Sequence, residues 1–346
     1  MSLLNRMVSG FRFALPILLA GVLGTSFAQS EADGLDLSNV TLTVGTPNKT
    51  GLRRQLLASG EAENTPYQIK WADFDSTPPL IEALRAQHVD IAQGGETGVL
   101  FAIANGQKIA ILGAGLEKNI SGSAILVRGD SDIQNVADLK GRKIALPYFT
   151  KQHYQLAKAL EQAGVPWDSK LILRLNTTDG LSALVNAQVD AFVVWDPNSA
   201  IAQIEHGARV IKPLKEAIET ASVLYTHPAN LEDPKRTAAL KDLTRRIVRA
   251  QAWVNAHPQE WAEQVARLSQ VSPAVAKLQT ERSSPSHVPA TDPAVLAGWQ
   301  EEIDYFVGIG QFRKSFAIED FIAKDFSEVI QSENQHLATR KTARAD

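Results

Sequence analysis

The sequence predicts an α/β fold in two lobes, joined by a hinge that the chain crosses twice. One unit is stated twice, one hundred residues apart: Ala83-Leu84 through Val89-Asp90 lines up with Ala183-Leu184 through Val189-Asp190 without a gap. Each copy reads as a short amphipathic helix, an Asp at a tight turn, and a buried apolar strand that breaks into a polar loop. A strand, exit loop and helix occur at Val40–Ser59 and again from Ile144 to Ala163. Strands near Ala124–Arg128 and Ser222–Thr226 lead out of the first half and back into it, a two-strand hinge. In open α/β sheets ligands sit outside the carboxyl ends of strands, so two such ends facing each other predict one ligand between two lobes.

Taken in order, Val40-Thr41-Leu42-Thr43-Val44-Gly45 alternates and is β-branched, a strand, and Thr46–Gly51 breaks it before a helix over Leu52–Ser59. Tyr67–Phe74 is a second strand. Ser76-Thr77-Pro78-Pro79 then starts a helix that runs to Gln87, since Pro is tolerated in a first turn. After the first Val-Asp unit the spacing predicts a helix over Val99–Asn105, stopped by Gly106, and a buried strand over Ile109–Gly115. The Gly113-Ala114-Gly115 there is no dinucleotide fingerprint, because Lys118 stands where the third glycine belongs. Asp138–Leu146 is a short helix, a Gly turn and a strand; Pro147–Lys151 is its exit loop and His153–Ala163 a helix. Leu171–Leu175, the second Val-Asp unit and Arg209–Ile211 complete the second half.

From Asn230 the chain turns to long helices. Pro234–Ala256 has Asp233 as cap, Pro234 in its first turn, and an apolar side of Leu240, Leu243, Ile247, Ala250 and Val254. Gln259–Leu268, Pro273–Arg282 and Asp292–Val307 follow as helices, and Gln331–Asp346, polar and aperiodic, reads as a disordered tail. The resulting division is 36–125 plus 223–328 for the first lobe and 126–222 for the second.

Composition excludes several classes of function. Of the 346 residues 44% are hydrophobic and 21% charged, which is globular, and a formal charge of −3 gives no footprint for nucleic acid. Met1–Ala28 has a secretory leader's form: Arg6 and Arg12, the apolar run Phe13–Gly24, then Ser26-Phe27-Ala28 before a cut at Gln29. Without it the chain holds 33 bases against 38 acids. There is no cysteine, hence no lipid-attached cysteine, thiol nucleophile or thiolate metal site. The expected location is the bacterial periplasm.

Neither a nucleophile elbow nor a His-Glu-x-x-His nor a phosphate loop occurs, and the seven histidines show no metal spacing. Neither catalytic residues nor a metal or cofactor is therefore expected. Glu96, after the first Val-Asp strand, could bind, catalyse or cap, and Thr97 could cap the following helix. Trp195-Asp196-Pro197 projects an indole and a carboxylate from a strand end and suits a ligand wall; the alternative is a buried Trp with Asp capping the next helix.

At these residues the chain resembles the periplasmic aliphatic-sulfonate-binding proteins of ABC importers, within the wider nitrate-, taurine- and thiamine-precursor-binding group. The resemblance is carried by Gly95-Glu96-Thr97, Ala137-Asp138-Leu139-Lys140-Gly141, His153-Tyr154, Val189-Asp190-Ala191, Trp195-Asp196-Pro197, Trp253 and His257-Pro258. It spans roughly Asn39 to Asp325. It implies a type II periplasmic binding-protein-like fold that closes on a sulfonate or related small organic anion. It also implies a monomer that docks on an inner-membrane permease with its cytoplasmic ATPase. Carried over by position, the ligand residues are Asn48, Lys49, Thr50, Gly95, Glu96, Thr97, Thr150, His153, Trp195 and Asp196. Lys49, Lys151 and Arg282 are the candidate cations, and Phe149 and Trp195 the surfaces for a tail or ring.

Three loops depart from the relatives' pattern: Thr46–Thr50 in place of Tyr-Gln-Lys-Tyr-Gly, Phe149-Thr150-Lys151 in place of Gly-Ser-Asn, and Glu281–Pro285 in place of Arg-Arg-x-Tyr-Gly. They leave the identity of the anion open. The competing readings are a non-transport enzyme on the same fold, similar to thiamine-pyrimidine synthases, and an extracytoplasmic ligand sensor. Export and the missing cysteine weigh against the enzyme.

Overall fold

The structure is a computed structural model that describes residues 35–47, 51–117 and 122–342. The leader Met1–Ala28 and the loop residues Asn48, Lys49 and Thr50 lie outside the described residues.

The first half runs β1 (Thr41–Pro47), α1 (Leu52–Ala58), β2 (Gln68–Phe74), α2 (Thr77–Arg85), β3 (Ile91–Gly94), α3 (Glu96–Ala104) and β4 (Ala110–Glu117). The second runs β5 (Ala124–Val127), β6 (Ile144–Leu146), α4 (Lys151–Gln162), β7 (Ile172–Arg174), α5 (Thr177–Val185), β8 (Ala191–Val194), α6 (Asn198–His206) and β9 (Arg209–Pro213). Then come β10 (Ser222–Thr226), α7 (Pro234–Ala256), α8 (Pro258–Ser269), α9 (Pro273–Glu281), β11 (Pro285–Val288), α10 (Pro293–Gly308) and α11 (Lys324–Thr342).

Two sheets result, one in order β11-β4-β10-β3-β1-β2 and the other β7-β6-β8-β5-β9. Three strands of each sheet pair in parallel, β1, β2 and β3 in the first and β6, β7 and β8 in the second; β10 and β11 run against them in the first sheet, and β5 in the second. The chain therefore passes from one sheet to the other between β4 and β5 and returns between β9 and β10. The two-lobed α/β architecture is the one expected from the sequence.

The repeat has a structural cause. The Asp90 carboxylate accepts the Thr43 N–H at 2.7 Å, and the Asp190 carboxylate accepts the Lys143 N–H at 2.8 Å. In return, the Asp90 N–H donates to the Thr43 carbonyl and the Asp190 N–H to the Lys143 carbonyl. Thr43 and Lys143 are themselves one hundred residues apart. In each lobe the Asp thus ties the turn before one strand, β3 or β8, to the backbone in or just before its parallel neighbour, β1 or β6, so the pair closes at its amino end and leaves the carboxyl ends free.

The later helices complete the first lobe's core. Leu240, Leu243, Ile247, Ala250 and Val254 of α7 are buried, as their spacing requires, and Asp233 caps the helix by accepting the Lys235 N–H at 2.9 Å. Helix α3 is apolar on every side and lies in the interior, starting at Glu96 with Gly95 as its N-cap, three residues before the predicted Val99. The expected disordered tail is corrected for residues 331–342, which continue α11. Phe326, Val329 and Ile330 bury one stripe of that helix, and its polar end is held by tertiary bonds rather than by periodicity. Glu333 pairs with Arg249 at 3.4 Å, and Asn334 donates to the His287 carbonyl at 2.9 Å.

The lobes also meet through an aromatic cluster. Phe149 and His153, from the second lobe, pack on Phe101 of α3, with Phe149 edge-on at 4.8 Å between ring centroids. Tyr154 joins Phe306 of α10 at 5.8 Å. The approach is close enough that a Cβ added at Gly98 would lie 2.7 Å from the Phe149 carbonyl oxygen, so only glycine fits there.

Candidate functional site

A cavity of about 220 Å³ lies between the carboxyl ends of the two sheets. The first lobe contributes Thr46 and Pro47 at the end of β1, Gly94 and Gly95 at the end of β3, and Glu117 at the end of β4. The second contributes Thr150 and Lys151 beyond β6 and Trp195 and Asp196 beyond β8. Helices α1, α7 and α9 add Gln55, Gln251 and Gln279, and Arg282 follows α9. Of the predicted residues, Gly95, Thr150, Lys151, Trp195, Asp196 and Arg282 meet here.

One end of the cavity is positive. Helices α3 and α4 both begin at it, with Gly95 and Thr150 as N-caps, so first-turn N–H groups without helical partners converge there. A Cβ added at Gly95 would stand 3.1 Å from the Lys151 nitrogen, which measures how closely the two helix starts approach. Lys151 is half-buried on the wall and forms no ion pair among the described residues; its charge is felt by the buried carboxyls of Glu96 and Glu117. The Thr150 hydroxyl donates to the Pro147 carbonyl at 2.6 Å, so its proton is committed within the loop.

The other end mixes signs. Arg282 donates to Gln203 at 2.9 Å and lies 3.7 Å from the Asp196 carboxylate, across the cleft. Among the described residues its Nη1 has no hydrogen-bond partner, and neither does Gln279 Oε1. Asp196 also accepts the Ala200 N–H at 2.9 Å, so the same carboxylate caps the start of α6 and faces the cavity. Burial pushes the Asp196 carboxyl up to about 6, against the opposing pull of Arg282. Burial also raises Glu117, which the Ser283 hydroxyl and Ser284 N–H hold in place at 3.2 and 3.1 Å. A second polar bridge between the lobes lies outside the cavity wall: Thr177 donates to Asp75 at 2.7 Å.

Four expected ligand residues stand off the cavity wall. Glu96 and Thr97 belong to the first turn of α3 and point into the first lobe. The Thr97 hydroxyl donates to the buried Glu302, and the buried Glu96 carboxyl lies beside the Thr220 hydroxyl. Burial, and for Glu302 the adjacent Glu96, raises both carboxyls of this pair above the ordinary range. Phe149 and His153 stand behind the cavity in the aromatic cluster. Phe149 adopts φ +59° to enter it, and burial drives His153 down to about 4, which keeps the ring neutral.

The Glu96 pair gives a signed prediction. A carboxyl raised in the folded state keeps its proton as pH climbs past its unfolded value, so folding loses stability with rising pH. The variant Glu96→Gln removes that loss. Its melting temperature is expected to exceed wild type by a margin that widens from about pH 5 to pH 8. A margin that is constant or shrinks contradicts the assignment.

Sequence reasoning missed Gln55, Gln93, Glu117, Gln251, Trp261 and Gln279, all on the wall. Two were detectable. Gln251 sits four residues after Ile247 on the apolar stripe of α7, where a polar residue needs a partner, and Glu117 ends a strand just as Gly95 and Trp195 do. Among the described residues, no cluster of three or more His, Asp or Glu could hold a metal ion, and no helix is long and apolar enough to cross a membrane.

Known proteins share this architecture. The chain is 30% identical over 215 residues to a protein of Escherichia coli (strain K12) named for aliphatic-sulfonate binding. The match covers 61% of this chain and 66% of that relative, just under two thirds of its length. A Bacillus subtilis (strain 168) protein of the same name is 26% identical over 268 residues, covering 76% of this chain and 79% of its own. Among solved structures, the alkanesulfonate-binding protein SsuA of Xanthomonas axonopodis pv. citri, bound to MOPS, superposes with a TM-score of 0.74. It is 22% identical, and the superposition covers 82% of this chain and 98% of that one, a likeness of fold. The family described as NMT1/THI5 like matches residues 76–261, more than half of the chain and including both Val-Asp units, and the chain belongs to that family.

Proposed function

We propose that the protein is the solute-binding component of an ABC importer, holding an organic sulfonate or a related small organic anion between its lobes and presenting it to a membrane permease. The observation that carries this reading is the positive end of the cavity, where Lys151, without an ion pair among the described residues, stands beside the starts of α3 and α4. A sulfonate is a monoanion throughout the physiological pH range, so its site needs donors and a cation but no proton acceptor. The names of the relatives agree with it.

In this reading the lobes divide as 36–125 plus 223–328 and 126–222, and bound ligand favours the closed form. The membership of β5 in the second sheet and of β10 in the first supports the division. The leader Met1–Ala28, cleaved after Ala28, delivers the protein to the periplasm, where it acts as a monomer and not as an enzyme.

The test is a melting series with ethanesulfonate, taurine, an aromatic sulfonate, a sulfate ester and nitrate. At least one sulfonate is expected to raise the melting temperature, increasingly as its concentration exceeds Kd. A flat response to every sulfonate overturns the reading. A preference for taurine over ethanesulfonate would assign Glu117 and Asp196 to the ligand's ammonium group.

A further inference from the structure

A hydrogen-bond chain in the first lobe reaches the cavity from outside it. His287, on β11, is only 2% exposed, and its Nδ1 lies 2.6 Å from Gln251 Oε1. Gln251 Nε2 lies 3.4 Å from Gln55 Oε1. Both glutamines line the cavity, and His287 does not.

An amide has donors at one end and an acceptor at the other, so amides linked in series must all face the same way. The imidazole sets that direction. With the proton on Nδ1, the ring donates to Gln251, Gln251 donates to Gln55, and the Gln55 NH₂ is left for the cavity. With the proton on Nε2, Nδ1 accepts, both amides reverse, and Gln55 turns an oxygen to the cavity. The first wall attracts an anion and the second repels it.

Burial pushes the ring down to about 4, so at neutral pH it carries a single ring proton. Nε2 is buried without a partner among the described residues. A proton there would be an orphaned N–H, the rarer and costlier defect in a protein interior.

We propose that His287 is a positioning residue that, in its Nδ1–H form, fixes the Gln251 and Gln55 amides so that Gln55 presents N–H groups to the bound anion. The proposal rests on the anion reading above, but the tautomer itself does not depend on any ligand.

The test therefore has two parts. In the full protein labelled with 15N-histidine, long-range 1H–15N spectra report each ring's tautomer, with His287 assigned by the signal lost in His287→Gln. The Nδ1–H form is expected, and the Nε2–H form overturns the proposal whether or not a sulfonate binds. In titrations with ethanesulfonate, His287→Phe is expected to weaken binding about tenfold, the scale of one hydrogen bond. The variant His287→Asn, which keeps a donor near the position of Nδ1, is expected to recover most of that loss. Equal affinity in His287→Phe and wild type overturns the proposal, as does equal weakening in both variants. A wild type that binds none of the sulfonates of the melting series but shows the Nδ1–H form overturns the anion reading and leaves the donor wall standing.

Discussion

Replacing Lys151 by Met is expected to weaken sulfonate binding ten- to a hundredfold, the range of about 1.5–3 kcal/mol for a hydrogen bond to a charged group. The melting temperature without ligand is expected to stay unchanged. Lys151 is the first residue of α4, where the helix dipole disfavours a cation, and no carboxylate pairs with it among the described residues. Removing it relieves that dipole repulsion, while the buried carboxyls of Glu96 and Glu117 lose a favourable charge. These effects oppose each other in the free protein, whereas the ligand loses its counter-charge outright. Arg282→Met is expected to cost less affinity, because that guanidinium already donates to Gln203 and stands near Asp196. Calorimetric titration with ethanesulfonate beside a thermal melt separates the two effects. Wild-type affinity in Lys151→Met would remove the positive end from the site.

The strand-end loops were legible in the sequence because a Val-Asp strand that breaks into polar residues marks the carboxyl edge of a sheet wherever it occurs. That logic points to Gly95, Trp195 and Asp196, and all three line the cavity. It could not say which neighbour faces in. Consecutive residues in a first helical turn are about 100° apart, so Gly95, Glu96 and Thr97 cannot all meet one ligand. Here the wall takes Gly95, and the core takes the other two. Phe149 illustrates a second limit. The backbone at φ +59° swings its ring into the first lobe, and no local pattern announces a left-handed aromatic residue. Gln55 and Gln251 join the cavity from helices that meet only through tertiary packing, and the end of α11 is ordered by Arg249 and the His287 carbonyl rather than by its own sequence.

The repeated aspartates should differ in worth although their backbone bonds match. Asp90→Ala is expected to cost about 3 kcal/mol of unfolding free energy, and Asp190→Ala about 1 kcal/mol. Each substitution orphans one backbone N–H, at Thr43 in β1 or at Lys143 just before β6. Their second partners differ. Asp90 is 15% exposed in its side chain and is hydrogen-bonded to Arg236 of α7, while Asp190 is 37% exposed and 3.9 Å from Arg142. Losing Asp90 therefore strands a partly buried guanidinium as well as an amide, and it loosens the joint between the first lobe's sheet and its long helix. The Asp90 carbonyl, which accepts from Thr226 and Asn230, is untouched by the substitution, so the loss measures the carboxylate alone. Urea unfolding of the two variants decides the matter. Equal losses, or a larger loss for Asp190→Ala, would mean that the backbone clasp and not the Arg236 pair dominates, and that the two lobes owe the same stability to the same turn.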